Sequence, residues 1–424
     1  MKIVRRLEPG AGDIITGPVD REWTFMIYLA GDNNLEDFGR TDLAEMKSVG
    51  STPEIALVGQ FDRMESGDTR RYYLRKGTSL DEDEVSQNLG ETNTGDPAEL
   101  MRFMNWAMSE YPARRYALIL WNHGMGWKED DVYEIAERSI SYRPMRSLAN
   151  RIVRSFVTRP KRPPLFSSTV DAVLARGIAY DDTSSDFLDN AEMKRALGCA
   201  LLVSGVERLD VLGFDACLMN MIEVAYQVRG TCDYVVGSQE TEPGEGWPYG
   251  AVLQELADNP TMDGGELSRI IVDRYIESYA ASQQLTQSAL NLTHLGDLIE
   301  PLNEMCRFII EHQDECELAV GRAARRTQRY SDSDYKDLYD FLELLAERTE
   351  LAELQEKIKA VMDTISPSGE NRLVLSNGTR GQRLERSHGI SIYFPSHEMS
   401  PFYKRLDFAS ETLWDDMLLR LFAY

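Results

Sequence analysis

Apolar runs closed by small or polar residues pace the first half of the chain. Residues 23–30 (Trp-Thr-Phe-Met-Ile-Tyr-Leu-Ala) form one run, broken at Gly31-Asp32-Asn33-Asn34 and followed by a helical pattern to about Lys47. Residues 55–61, 116–121, 211–214 and 234–238 read the same way, and residues 288–292 add a further strand. Unbroken runs of this kind predict strands buried on both faces, as in a parallel sheet covered by helices. Residues 70–74 alternate instead and follow a turn, which predicts an edge strand. Asp96 and Pro97 suit the cap and first turn of a helix whose apolar face is Leu100, Phe103, Met104 and Ala107. Leu218, Ile222, Ala225 and Tyr226 mark another helical face, starting just after Cys217. Strands alternating with helices make this an α/β protein, a sandwich around a mostly parallel central sheet.

From about Gly296 the pattern turns helical, with charged segments to about Ile365. Residues 372–376 then meet Asn377-Gly378, a hairpin signal. Residues 389–395 form one returning strand, and an amphipathic helix carrying Trp414, Leu418 and Leu421 ends the chain. The expected organisation is a leader over 1–21, an α/β domain over 22–290, and a mainly helical part with a hairpin and one returning strand over 291–424.

Composition narrows the function classes. The net charge of −24 over 424 residues argues against nucleic acid and anionic membranes as partners and favours basic ligands, with solubility as its everyday use. No apolar run approaches the ~20 residues of a membrane span. The first ten residues carry no signal-peptide core, so the expected location is cytoplasmic. Five cysteines with no Cys-x-x-Cys pair, and five scattered histidines, suggest neither a disulfide framework nor a zinc site. One segment breaks the acidic trend. Nine Arg or Lys residues, from Arg138 to Arg176, fall in a Pro-broken stretch of ~40 residues (about 138–176), which reads as an exposed insertion.

The candidate chemistry sits at two strand ends. His123 follows the run 116–121, and Cys217 follows the run 211–214. A thiol nucleophile and a proton carrier at neighbouring strand ends are the parts of a cysteine hydrolase. A helix starting just after Cys217 would favour the thiolate through its positive end. Backbone N–H groups at Cys217 and Gly124 would face the developing oxyanion. A structural cysteine and a satisfied polar histidine remain the plainer readings of each residue alone.

Longer motifs sharpen this. Residues 23–36, Asn122-His123-Gly124, residues 214–219 around Cys217, Gly246-Trp247-Pro248-Tyr249 and residues 388–395 resemble clostripain-family cysteine peptidases, relatives of the caspases, legumains and gingipains. The resemblance runs from Trp23 to near Trp414. It implies a caspase-like fold, a catalytic dyad of Cys217 and His123, and cleavage after Arg or Lys. It also implies a carboxylate two residues before the nucleophile in the substrate pocket, here Asp215, with Glu245 as a second contributor. A desolvated guanidinium needs such a partner, although Asp215 would also serve as a helix cap. Substrates are then proteins or peptides with basic residues.

Some members of the family are activated by cleavage between the His and the Cys, which gives the basic insertion a role in self-processing. No cofactor is expected. Calcium matters for some relatives, and residues 31–37 with Asp181-Asp182 look like calcium ligands, but the EF-hand pattern is absent and helix capping explains the same residues. Tyr335, Asp337, Tyr339 and Phe341 read as packing and capping residues, and His388 as a rival partner for Cys217. Secreted relatives carry a signal peptide, and its absence from the first residues here leaves two expectations, an intracellular enzyme or a trimmed true start. The alternative to an Arg/Lys-specific endopeptidase is a non-catalytic binding or scaffold protein with the same fold. Oligomeric state is not legible.

Overall fold

A computed structural model describes residues 20–64, 67–77, 85–122, 124–127, 178–181, 183–184, 186–365, 372–396 and 398–422, with a strand pair at 4–5 and 14–15. The basic insertion, most of the leader and His123 lie outside the described residues. The chain divides into two compact units, residues 1–216 with 243–264, and residues 217–242 with 265–424.

The first unit opens with β1 (Trp23–Gly31), α1 (Glu36–Val49), β2 (Ile55–Arg63), β3 (Asp68–Tyr73), β4 (Val85–Gly90), α2 (Pro97–Glu110) and β5 (Arg115–Trp121). It continues with β6 (Ile178–Asp181), β7 (Asp186–Leu188), α3 (Asn190–Ser204) and β8 (Leu209–Asp215). After α4 (Ile222–Val228) and β9 (Cys232–Gly237) of the second unit, α5 (Tyr249–Asp258) belongs to the first again. Its sheet has the order β8-β5-β1-β2-β3-β4, parallel from β8 to β2 and antiparallel across β3 and β4.

Every residue of β1 and β2 is buried, as the unbroken runs require. Successive side chains of a strand face opposite ways. Tyr28 meets Phe103 of α2, with ring centroids 5.7 Å apart, whereas Leu29 packs at Gly39 of α1. Helices therefore cover both faces of a mostly parallel sheet, the sandwich expected from the sequence. Asp96 caps α2 as expected, accepting the Ala98 N–H at 2.9 Å. One expectation fails. Strand β3 is not an edge, because β4 pairs along its other side. The sequence of β4, Val-Ser-Gln-Asn-Leu-Gly, has no apolar run to announce it.

The second unit adds α6 (Gly264–Ser278), β10 (Leu285–Asn291), α7 (Leu295–Glu311), α8 (Gln313–Arg326), β11 (Tyr335–Asp337), α9 (Leu338–Arg348) and α10 (Ala352–Ile365). It ends with β12 (Val374–Arg380), β13 (Ser391–Tyr393), α11 (Asp407–Glu411) and α12 (Trp414–Phe422). Strands β9, β10 and β12 are mutually antiparallel in that order, and the returning strand β13 pairs with β11. The expected hairpin at Asn377-Gly378 is absent. Both residues lie inside β12, opposite Ser288 and Gln287. Gly378 is needed there for close packing, since a Cβ would stand 2.5 Å from Cγ1 of Ile276 on α6. No helix among the described residues is long and apolar enough to cross a membrane.

Candidate active site

Parallel strands β5 and β8 lie in register with Trp121 opposite Asp215, and the Asn122 N–H donates to the Asp215 carbonyl at 3.3 Å. Asn122 is also tied to the end of β1, its Nδ2 donating to the Ala30 carbonyl at 2.7 Å. Strand β1 has β2 on one side and β5 on the other, so these carboxyl ends flank the point where the strand order reverses. Ligands of open α/β sheets gather at such points. His123 and Cys217 each follow the matched pair by two positions in the chain. Gly124 is buried.

Cys217 is half-buried. The Glu242 N–H donates to its Sγ at 3.2 Å, which favours negative charge on sulfur. The loop that carries this donor is anchored through Glu240. The Glu240 carboxylate is buried, accepts the N–H groups of Thr241 (2.9 Å) and Ser331 (3.1 Å) and the Ser331 hydroxyl, and pairs with Arg383. The segment after the cysteine runs beside the same loop, with Leu218 N–H donating to the Glu240 carbonyl at 3.1 Å and Asn220 N–H to the Ser238 carbonyl at 2.9 Å.

That pairing overturns the helix expected just after Cys217. Helix α4 begins only at Ile222, and Leu218 holds φ +62°, a left-handed conformation that a leucine adopts only under constraint. Met221 bridges to Ser391, and the Ser391 N–H donates to the Asn220 carbonyl at 3.1 Å. Leu218, Ile222, Ala225 and Tyr226 are all buried, and their spacing reflects that burial rather than one continuous helix. The Cys217 sulfur meets the backbone of Glu242, whose N–H donates to it, and no helix starts beside it.

Asp215 is 4% exposed and does not cap a helix. Its Oδ2 accepts the Tyr249 hydroxyl at 2.7 Å and the Trp247 N–H at 3.3 Å. Gly246 holds φ +59°, and a Cβ there would lie 3.0 Å from Oδ2 and 3.1 Å from Oδ1. The Gly-Trp-Pro-Tyr motif thus surrounds this carboxylate. Glu245, beside the glycine, is exposed. Sequence reasoning missed Asp42 of α1, a buried acid whose Oδ2 accepts the Trp121 Nε1–H at 2.6 Å. Burial, reinforced by the charge of Asp215, pushes its carboxyl up to about 9. Asp42 therefore adds no second charge beside Asp215 at neutral pH.

The rival histidine is engaged elsewhere. His388 Nδ1 lies 3.2 Å from Asp337 Oδ1, and its ring sits 4.9 Å from that of Tyr339. Burial alone would lower its pKa, but Asp337, with Glu343 and Asp340, raises it above the usual imidazole value. Asp337 also caps α9 through the Asp340 N–H and accepts from Gln239 and Tyr330, so it is a capping and packing residue as expected.

A family model described as the clostripain family matches residues 27–149 and 168–420. Clostripain from Hathewaya histolytica is 27% identical over 258 residues, which cover 55% of this chain and 42% of that protein. The chain thus spans under half the length of that curated relative. A secreted C11 cysteine protease from Bacteroides thetaiotaomicron, solved with an irreversible peptide inhibitor, matches with a TM-score of 0.63 at 19% identity, over 93% of this chain and 100% of that one. An inactive zymogen C11 protease from Parabacteroides distasonis matches with a TM-score of 0.62 at 20% identity, over 94% and 99%. The two likenesses establish a shared caspase-like fold.

Proposed function

The chain belongs to the clostripain family, and from that premise we propose that it is a cysteine endopeptidase cutting peptide bonds after Arg or Lys. The observation that carries the reading is the register of β5 and β8, which matches Trp121 with Asp215 two positions before each candidate dyad residue. In this reading the Cys217 thiolate attacks the scissile carbonyl, forming a thioester as the C–N bond breaks. His123 gives its proton to the departing amine, then takes one from the water that hydrolyses the thioester. The Gly124 N–H helps hold the oxyanion.

Asp215 receives the guanidinium or ammonium of the substrate, beside Gly246, where a Cβ would stand 3.0 Å from its Oδ2. Exposed Glu245 adds charge at the rim. Protein and peptide substrates with basic residues follow, and so does self-cleavage in the basic insertion, the Parabacteroides distasonis relative being an inactive zymogen. The test compares the protein with Cys217→Ala on Arg-, Lys- and Leu-containing reporter peptides, with mass spectrometry of both chains. Cleavage after basic residues that vanishes in Cys217→Ala supports the reading. Cleavage that persists in Cys217→Ala, or shows no basic preference, overturns it.

A further inference from the structure

We propose that the cavity lined by Lys336, Arg325, Phe394 and Phe422 in the second unit binds a small organic carboxylate with an aromatic or aliphatic body. Its volume is about 630 Å³, within the range of small-molecule sites. Helix α8, the paired strands β11 and β13 with the residues after them, and the end of α12 supply the walls. Gly321, Ala324 and Arg325 share one face of α8, and only Arg325 carries a long side chain there. Lys336 stands opposite Ile392 in the β11–β13 pair, and the Phe394 N–H donates to the Asp334 carbonyl at 2.7 Å.

Lys336 is the group that calls for a ligand. It is 7% exposed, yet among the described residues its ammonium has no hydrogen-bond acceptor and no carboxylate within ion-pair distance. Its contact is the face of Phe394, with Nζ 4.4 Å from the ring centroid. An aromatic face offsets only part of the cost of burying a cation. Burial lowers the Lys336 pKa to about 8, with Asp334 opposing the shift and Arg329 adding to it. Arg325 is exposed and likewise has no ion pair. The other charge on the lining is exposed Glu398, so a protonated Lys336 leaves the cavity one net positive charge.

That balance selects a monoanion, and a phosphate dianion would be left short of positive charge. A guanidinium matches a carboxylate with two parallel hydrogen bonds, and the Lys336 ammonium adds a point charge. Phe394, Phe422 and Pro395 offer apolar surface for the body of the ligand. Phe394 is held in place by Trp414, with ring centroids 5.8 Å apart. A neighbouring hollow shares Arg325 and adds Arg322, Arg326 and Arg348, against Glu347. In a chain of net charge −24, this local excess of arginine draws anions to one side of the second unit.

The test needs no cleavage readout, so its result stands apart from the peptidase reading. Naphthylacetate is titrated into the full-length protein by calorimetry, with naphthylacetamide as the neutral control. The expected result is saturable binding with a Kd below about 1 mM, weakened roughly tenfold or more in the amide. Brief acetylation followed by peptide mass spectrometry locates the ligand, which should protect Lys336 and leave exposed Lys359 unprotected. Affinity should hold below about pH 8 and fall above it, as Lys336 loses its proton. Lys336→Met should melt no lower than the parent, because an unpaired buried charge has gone, and should lose both the affinity and its pH dependence. Arg325→Gln, at an exposed position, should weaken binding severalfold with Tm unchanged, which keeps the test decisive if Lys336→Met fails to fold. No saturable binding at millimolar concentration overturns the site, as does binding that leaves Lys336 unprotected or an unaltered affinity in both variants. Tighter binding of an acidic peptide that leaves Lys336 unprotected also overturns it, and would assign the arginines to a protein partner.

Discussion

Tyr249 gives its hydroxyl hydrogen to Oδ2 of Asp215 at 2.7 Å, fixing a buried carboxylate two residues before Cys217. If Asp215 is the partner of the substrate's basic side chain, Asp215→Ala should cut kcat/KM for Arg and Lys peptides at least a hundredfold. Tyr249→Phe, which removes one hydrogen bond to a charged group of about 1.5–3 kcal/mol, should cost roughly tenfold or more. The rate of Cys217 alkylation by a small neutral reagent should change little in either variant. Equal losses of alkylation and cleavage would place Asp215 in the service of the nucleophile instead.

Gly246 separates pocket shape from pocket charge. Alanine there meets a left-handed backbone at φ +59° and puts a methyl 3.0 Å from Asp215 Oδ2. Gly246→Ala should destabilise the protein by about 1–2 kcal/mol. It should also raise KM for arginyl peptides more than it lowers kcat. Denaturant unfolding and steady-state kinetics check the two effects, and an arginyl KM equal to that of the parent would remove the glycine from the pocket wall.

The strands that carry the candidate site were legible because burial on both faces leaves an unbroken apolar run, as in β1 and β5. The cap at Asp96 was legible because capping is local. Three features were hidden for physical reasons. The segment after Cys217 keeps helical spacing, yet its N–H groups go to residues 238 and 240, pairings made across a loop. Gly378 carries a turn signal, but it answers to Ile276 on a distant helix. Glu240 looks like one of several solvated glutamates, and only the fold brings Arg383 and Ser331 to it.

Arg383 acts on Cys217 at one remove. Arg383→Met leaves the buried Glu240 carboxylate without its cation, and the loop bearing the Glu242 N–H loses an anchor. The expected cost is about 1–3 kcal/mol of stability, with alkylation of Cys217 at pH 7 slowed severalfold and its pH profile moved upward. Adding Glu240→Gln should recover stability without restoring the alkylation rate. If Arg383→Met alkylates at the parent rate and pH dependence, the clamp does not position the donor.

Asp42 turns the same kind of burial into a pH signature. Its carboxyl stands at about 9 in the fold against an ordinary 3.8. Below the ordinary value both states are protonated, and the group costs the fold nothing. Above it the unfolded chain ionises while the native state keeps its proton, so stability falls as pH rises, until the folded value is passed. Within that window the loss approaches ~1.4 kcal/mol for each pH unit. Asn at this position still offers an oxygen to the Trp121 Nε1–H but has no proton to hold. Asp42→Asn should therefore match the parent near pH 4 and exceed it by on the order of a few kcal/mol at pH 8. Denaturant unfolding at pH 4.5, 6 and 8 would measure that growing gap, and a gap independent of pH would show that Asp42 ionises in the fold as it does in water. Because the acid is neutral at the working pH, kcat/KM for arginyl peptides at pH 7 should be preserved, leaving the recognition charge to Asp215.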